Sequence, residues 1–392
     1  MASIHLWDFP EESIFVCLKD DFRKRFFNEL TDKIGGQREL ARRTDMFWGT
    51  MWKMIHGKRY RNKNKRNEAV RLRLSFLKKV CSIYSEVFNI NETDVMKRVE
   101  KNIFSYSAHS GTEVFNPILP IKQSPKIFRI IGHMMADGTW IAGCGPKYIN
   151  SDSELRKCFI RDLKEVFGNA EIKEVFYKGR TPIVTFPSAI VYVLNRVYGT
   201  KFSGIVGLPR FVDKLTKKEK ACFFQAMFDD EGYIGDSNIQ VCSLDKELLL
   251  GMKALLLKDF NIETSSISHY IDYKRVDGSI SRVFYFNVFS KSIEKFSKYI
   301  GFQHSKKAEG LSWLLARQKR KKIPSAGKIR KIVIAELKKN GAMSAPQLAV
   351  KIIITARNLR KHLRRFENAG IIEKAGKKKG KGGALLWKLK IV

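Results

Sequence analysis

The sequence predicts an α+β fold in three parts. These are a helical N-terminal module, a central unit of helices and hairpins used twice, and a basic C-terminal module of three helices closed by a hairpin. Three observations predict it. Apolar residues from Asp21 to about Ile103 recur at helical spacing, with no convincing strand pattern. A helix that stops at an acid followed at once by glycine occurs at Arg129–Trp140 and again at Phe223–Ile234. Residues 317–392 carry +20 of the formal net charge of +35, yet keep an ordered apolar spacing.

A chain of 392 residues has room for two or three domains, and 44% hydrophobic residues exclude disorder throughout. The charge points to a polyanionic partner, nucleic acid in preference to an anionic membrane surface. It is spread unevenly: +8 over residues 1–105, +7 over 106–316 and the rest beyond. Six scattered cysteines, without a CxxC or a nearby His pair, argue against a zinc site and against a secreted disulfide framework. No apolar stretch is long enough to span a bilayer and no signal-peptide pattern opens the chain. The expectation is a cytoplasmic, DNA-associated protein, with organelle or nucleus open, and with no membrane partner and no small-molecule cofactor.

Residues 1–105 read as an all-α module. Within it, Gly35 and Gly36 precede a short helix through Arg43, then a turn, then a second helix from about Trp48 that Gly57 ends. Leu40, Ala41, Met46, Met51 and Met54 fall where a helix-turn-helix needs apolar packing, and Ala41 is small where the helices cross. The stretch resembles the helix-turn-helix of phage-repressor-type DNA-binding domains, with Asp45 in place of the usual turn glycine and Phe47 in place of the usual Ser or Thr cap. That resemblance implies that Trp48, Thr50 and Lys53 face a major groove. The basic run from Lys58, with Arg59 and Arg61, is placed to grip phosphates. Residues 106–125, with Gly111, Pro117 and Pro120, read as a linker.

In the central segment Gly132 aligns with Ala226 and Asp137 with Glu231. Short strands follow each motif and lead to amphipathic helices at Ser153–Phe167 and Asp245–Phe260. Further strands at residues 172–177, 182–186, 266–273 and 283–289 precede closing helices at 189–197 and 292–299. The unit is therefore αββαββα, used twice, which favours a pseudo-two-fold domain. An acid at a helix C-terminus is unfavourable to the helix dipole, so the recurrence of Asp137 and Glu231 at the same place suggests a shared site.

Ile130-Ile131-Gly132-His133-Met134-Met135-Ala136-Asp137-Gly138, Phe224 to Gly232, Leu208 to Val212, and Tyr299 to Phe302 followed by Ser305-Lys306-Lys307 together resemble the LAGLIDADG family of DNA endonucleases. The form is the single-chain one that carries both motifs. The resemblance implies a core over residues 126–317, in halves of about 126–207 and 208–317, and a monomer with internal pseudo-two-fold symmetry. It also implies saddle-shaped sheets lying on double-stranded DNA. Gly132, Ala136 and Ala226 would supply the small residues where the motif helices meet, with Asp230 at the second small position and a bulkier His133 beside them. Asp137 and Glu231 would be catalytic acids holding Mg²⁺ or another divalent cation, with Gly138 and Gly232 adjoining in the metal site. Lys201 and Lys306 (or Lys307) match the basic residue near each scissile phosphate, and Gln240 is a candidate DNA contact.

In residues 325–392, Ile329, Val333 (or Ile332) and Leu337 mark one helix, Ser344 caps a second and Thr355 a third buried through Leu359, Leu363 and Phe366. Arg357, Arg360, Lys361 and Arg364 stand on the opposite face. A strand from Ile371 and a return at 385–389 flank a Lys/Gly-rich tip, and the whole resembles a winged helix. The expected function is site-specific, metal-dependent cleavage of both DNA strands. A catalytically inactive DNA-binding protein or transcriptional regulator on the same scaffold is the alternative, and an RNA-intron splicing cofactor a third.

Overall fold

The computed structural model describes residues 3–56, 70–109, 111–141, 144–200, 202, 207–274, 278, 280–319, 324–377 and 384–390. The chain forms two compact units, one of Met1–Glu231 with Ser243–Met252, the other of Gly232–Cys242 with Lys253–Val392.

The N-terminal part of the first unit is not all-α. Ile14–Leu18 and Ile103–Ala108 pair antiparallel at the centre of a five-stranded sheet. Leu72–Arg73 lies on one side; Glu113–Phe115 and then Asn169–Ala170 lie on the other. Helix Asp20–Ile34 packs on helix Leu74–Phe88, where Phe26 stacks on Tyr84 with ring centroids 4.7 Å apart. Residues 106–125 are not a free linker either. They supply the strand Glu113–Phe115 and a second one, Ile121–Lys122, that pairs with Ser3–Ile4.

The helix-turn-helix is present as Gln37–Arg43 and Trp48–His56. Gly35 and Gly36, both at positive φ, break the chain away from the preceding helix. Asp45, standing where glycine was the expected residue, itself adopts φ 54, a conformation that acidic and amide side chains reach more readily than others. Leu40, Ala41, Met51 and Ile55 are buried beneath it, whereas Met46 and Met54 are only half-buried.

After this comes a helix–hairpin–helix–hairpin–helix succession: Pro125–Ala136, Gly138–Ile141 with Gly145–Ile149, Ser153–Phe167, Lys173–Val175 with Ile183–Thr185, and Ser188–Tyr198. The four strands form one antiparallel sheet with Gly145–Ile149 and Ile183–Thr185 central. Helix Lys217–Glu231 packs against Pro125–Ala136 within this same unit, so the compact units do not follow the expected halves at 207 and 208.

In the second unit, Gly232–Ile234, Ile239–Ser243, Ile280–Val288 and Ser268–Lys274 form another four-stranded sheet in that order. Helix Ser305–Lys319 lies on its first strand, where Gly310 leaves room for Ile234. At the C-terminus, helices Ala326–Asn340, Ala345–Ile352 and Ala356–Asn368 enclose a core of Ile329, Val333, Leu348, Leu359, Leu363, Phe366 and Trp387. The Ser344 and Thr355 caps form as read from sequence. A strand that the sequence reading lacked, Met343–Ser344, completes a three-stranded sheet with Leu385–Leu389 and Ile372–Lys377.

Candidate active site and nucleic-acid surfaces

The site begins with how closely two helices pack. Helix Lys217–Glu231 buries Phe223, Phe224, Ala226, Met227 and Phe228, so it is enclosed on nearly every side. At its crossing with Pro125–Ala136, a Cβ added to Gly132 would lie 2.7 Å from the Phe223 carbonyl oxygen and 2.8 Å from the Ala226 Cβ. Glycine is required there by contact with fixed backbone.

Asp137 then terminates the first helix at φ −103, its N–H donating to the His133 carbonyl over 3.0 Å. Gly138 follows as the first strand residue. A Cβ on it would fall 2.4 Å from the Met134 carbonyl oxygen. Neither Gly138 nor Gly232 has the positive φ of a left-handed helix terminus, so the glycine after the first acid answers to crowding instead.

Between the helix ends lies a polar network inside an otherwise apolar core. Asp230 Oδ2 accepts from His133 Nδ1 at 2.8 Å, and both side chains are buried. Asp230 Oδ1 accepts from the Tyr148 hydroxyl at 2.8 Å and from Asn150 Nδ2 at 3.0 Å. The same Asn150 amide donates to Asp137 Oδ2 at 2.8 Å. Asn150 is held in turn, because its Oδ1 accepts from the Asp152 N–H and its carbonyl from Arg156. One side-chain amide therefore ties the acid that ends the first helix to the acid one residue before the end of the second.

Burial alone would lower the His133 pKa, but the charge and hydrogen bond of Asp230 outweigh it, and the imidazole is held above its ordinary value. Burial, then the charge of Asp230, pushes the Tyr148 hydroxyl far up, so it is a donor throughout the physiological range. His133 Nε2 has no hydrogen-bond partner among the described residues. Nearby, buried Arg129 on the first helix forms a two-pronged pair with Asp162 at 2.6 and 2.8 Å, fixing that helix to Ser153–Phe167.

The sequence pointed to Asp137 and Glu231 but not to Tyr148 or Asn150; it placed Asp230 only at a small position of the helix crossing and His133 only as a bulkier residue there. The signal was there in a pair: a base on one helix and an acid on the other, both within segments otherwise rich in apolar residues. Asp137 and Glu231 end the two packed helices. Among the described residues no group of three or more His, Cys, Asp or Glu side chains could hold a metal. Mg²⁺ is commonly bound by one or two carboxylates and keeps its own waters, so Asp137 and Glu231 are the residues that would hold it.

The remaining candidates are dispersed. Lys306 is exposed in the first turn of Ser305–Lys319, and Gln240 is half-buried with its amide 3.5 Å from the Cys242 sulfur. Lys201, Lys58, Arg59 and Arg61 lie outside the described residues. Trp48, Thr50 and Lys53 are exposed, the Arg38 guanidinium lying 5.7 Å from the Trp48 ring. Arg357, Arg360, Lys361 and Arg364 are exposed on the third C-terminal helix, opposite its buried Leu359, Leu363 and Phe366.

Residues 328–373 match the family model described as winged helix-turn-helix DNA-binding, which is the segment where three helices and the first wing strand are found. A glutamine–fructose-6-phosphate aminotransferase (isomerizing) of Methanocaldococcus jannaschii is 26% identical over 322 residues, covering 76% of this chain and 27% of that relative. The chain thus spans about a quarter of the length of the curated relative it matches. Among solved structures, I-DmoI in complex with DNA and Ca is 15% identical with a TM-score of 0.35, over 48% of this chain and 97% of that one. I-DmoI in complex with DNA and Mn gives 15% and 0.32, over 45% and 96%. The N-terminal LAGLIDADG domain of DUF199/WhiA gives 14% and 0.33, over 48% and 88%. No described helix is long and apolar enough to cross a membrane.

Proposed function

We propose that this chain binds double-stranded DNA through its flanking modules and cleaves it at a duplicated LAGLIDADG-type core, with Asp137 and Glu231 as the metal-holding catalytic acids. One observation carries the reading. Two helices pressed together at Gly132 and Ala226 each end in an acid and pass at once, through glycine, into the first strand of a four-stranded antiparallel sheet. A divalent cation, when bound there, would supply an acidified water and charge compensation for a leaving oxygen. The chain's own residues prepare the place: Asn150 orients the Asp137 carboxylate, and the His133–Asp230 pair locks the helix ends against sliding. The winged helix adds a basic surface for phosphates, in line with its family match.

A second reading, a DNA-binding protein that does not cut, is favoured by one feature. The Asp137 carboxylate is already engaged by Asn150 in a network whose other members serve packing. A nicking assay on selected duplexes with and without Mg²⁺ separates the two. Endonuclease activity requires that Asp137→Asn and Glu231→Gln abolish nicking while DNA retention persists. If wild type leaves its bound DNA intact under every divalent cation supplied, the cleavage reading is wrong and the non-cutting one stands.

A further inference from the structure

The segment read as a linker is a seam. Strand Glu113–Phe115 pairs on one side with Ile103–Ala108 and on the other with Asn169–Ala170, the residues that follow helix Ser153–Phe167. The Glu171 N–H donates to the Glu113 carbonyl at 2.9 Å, the Glu113 N–H to the Glu171 carboxylate at 3.0 Å, and the Ile118 N–H to the Phe167 carbonyl at 3.2 Å. Gly168, at φ 104, is so close to the seam that a Cβ would lie 2.7 Å from the Asn116 carbonyl oxygen. A second strand pair, Ser3–Ile4 with Ile121–Lys122, joins the chain's start to the residues just before the first motif helix. Ile4, Leu6, Tyr106, Val114 and Ile121 are buried along these contacts.

The seam continues to the helix-turn-helix through packed elements of the same compact unit. Strand Ile14–Leu18, central in the same sheet, passes through Lys19 alone into helix Asp20–Ile34, and that helix packs on both helices of the helix-turn-helix. A semi-independent module would be tethered by a solvated segment with few contacts; among the described residues the connections named above are paired strands and packed helices.

From this we infer that the helix-turn-helix and the part of the core in the same compact unit, residues 125–198 with helix Lys217–Glu231, engage one duplex as a single rigid body. Trp48, Thr50 and Lys53 read base pairs at one fixed distance and phase from the contacts of that part of the core. The inference rests on the DNA-binding reading above and adds to it a property of the target: an invariant spacer.

The test uses the full-length wild-type chain. Duplexes that it retains are selected from a randomised pool and footprinted, and the protection that disappears with the triple variant Trp48→Ala/Thr50→Ala/Lys53→Ala marks the helix-turn-helix segment. Circular dichroism melting checks that this variant, altered only at exposed positions, remains folded. One base pair is then inserted between the two protected segments. The insertion turns one segment by roughly a tenth of a helical turn relative to the other. A rigid body loses about tenfold or more in affinity, falling to the level of the triple variant. Inserting a full turn does not restore it, because the segments then stand about 34 Å further apart. Wild-type affinity retained after the one-base-pair insertion, or a footprint unchanged by the triple variant, overturns the inference. If no duplex is retained at all, the DNA-binding reading falls first and takes this inference with it.

Discussion

The residue that most constrains this molecule is Asp230. It accepts three hydrogen bonds in the core, from His133, Tyr148 and Asn150, and against the lowering effect of burial its charge holds the His133 pKa above its ordinary value. Removing one member of a buried ion pair leaves the other uncompensated, so Asp230→Ala should cost about 3–5 kcal/mol in a urea unfolding experiment. The double change His133→Leu/Asp230→Leu should cost far less than the single-site losses combined. A pH dependence follows from the same pair. His133 has a raised folded-state pKa, so its contribution is complete below the ordinary value of 6.5 and is lost as pH rises through the folded-state value. Wild type should therefore lose unfolding free energy above about pH 6.5 relative to His133→Gln, and parallel curves for the two proteins would exclude an imidazolium at this place. None of these partners was legible as a functional residue in the sequence. A histidine or an aspartate on an apolar helix looks like an exception until its partner on another helix is known.

At the scale of single elements, helix ends and glycines were the most readable features. Ser153–Phe167 was placed to the residue, and the Ser344 and Thr355 caps form because their side chains satisfy otherwise open N–H groups. The crossing at Gly132 gives a direct check. Gly132→Ala forces a methyl against the Phe223 carbonyl and should cost about 1–3 kcal/mol by urea midpoint. Gly327→Ala, in a helix with nothing within 4 Å, should be neutral or gain up to about 1 kcal/mol. The third C-terminal helix offers a functional check, since its four exposed cations lie opposite its buried stripe. Replacing Arg357, Arg360, Lys361 and Arg364 by alanine should flatten the logarithmic salt dependence of DNA affinity, by about 0.9 for each phosphate that is no longer neutralised. An unchanged slope would mean that this face is turned away from the duplex.

For the whole molecule, the charge distribution and the helix-and-hairpin succession were legible, while the N-terminal sheet was not. Its strands are short, and Ile14–Leu18 is an unbroken apolar run whose period cannot tell strand from buried helix. The partners of that strand lie at residues 72–73 and 103–108, and the outermost strand of the sheet at 169–170. Pairing at such separations leaves no local trace. Gly111, Pro117 and Pro120 were read as a linker because they are turn residues; Gly111 lies between two strands of the five-stranded sheet, and Pro117 and Pro120 between that sheet and the two-stranded one. Deleting residues 324–392 removes much of the cationic excess without touching the N-terminal sheet, so DNA affinity should fall and its salt slope flatten while the thermal transition of the remainder persists. Loss of that transition would show that the C-terminal module also supports the folding of what precedes it.

The buried pair between His133 and Asp230 also limits how such a chain can be inherited. Its base lies on helix Pro125–Ala136 and its acid on helix Lys217–Glu231, so neither helix carries the pair alone. A recombinant that took one motif helix from a relative lacking the pair would acquire a stranded charge in its core. The two helices can be exchanged only together.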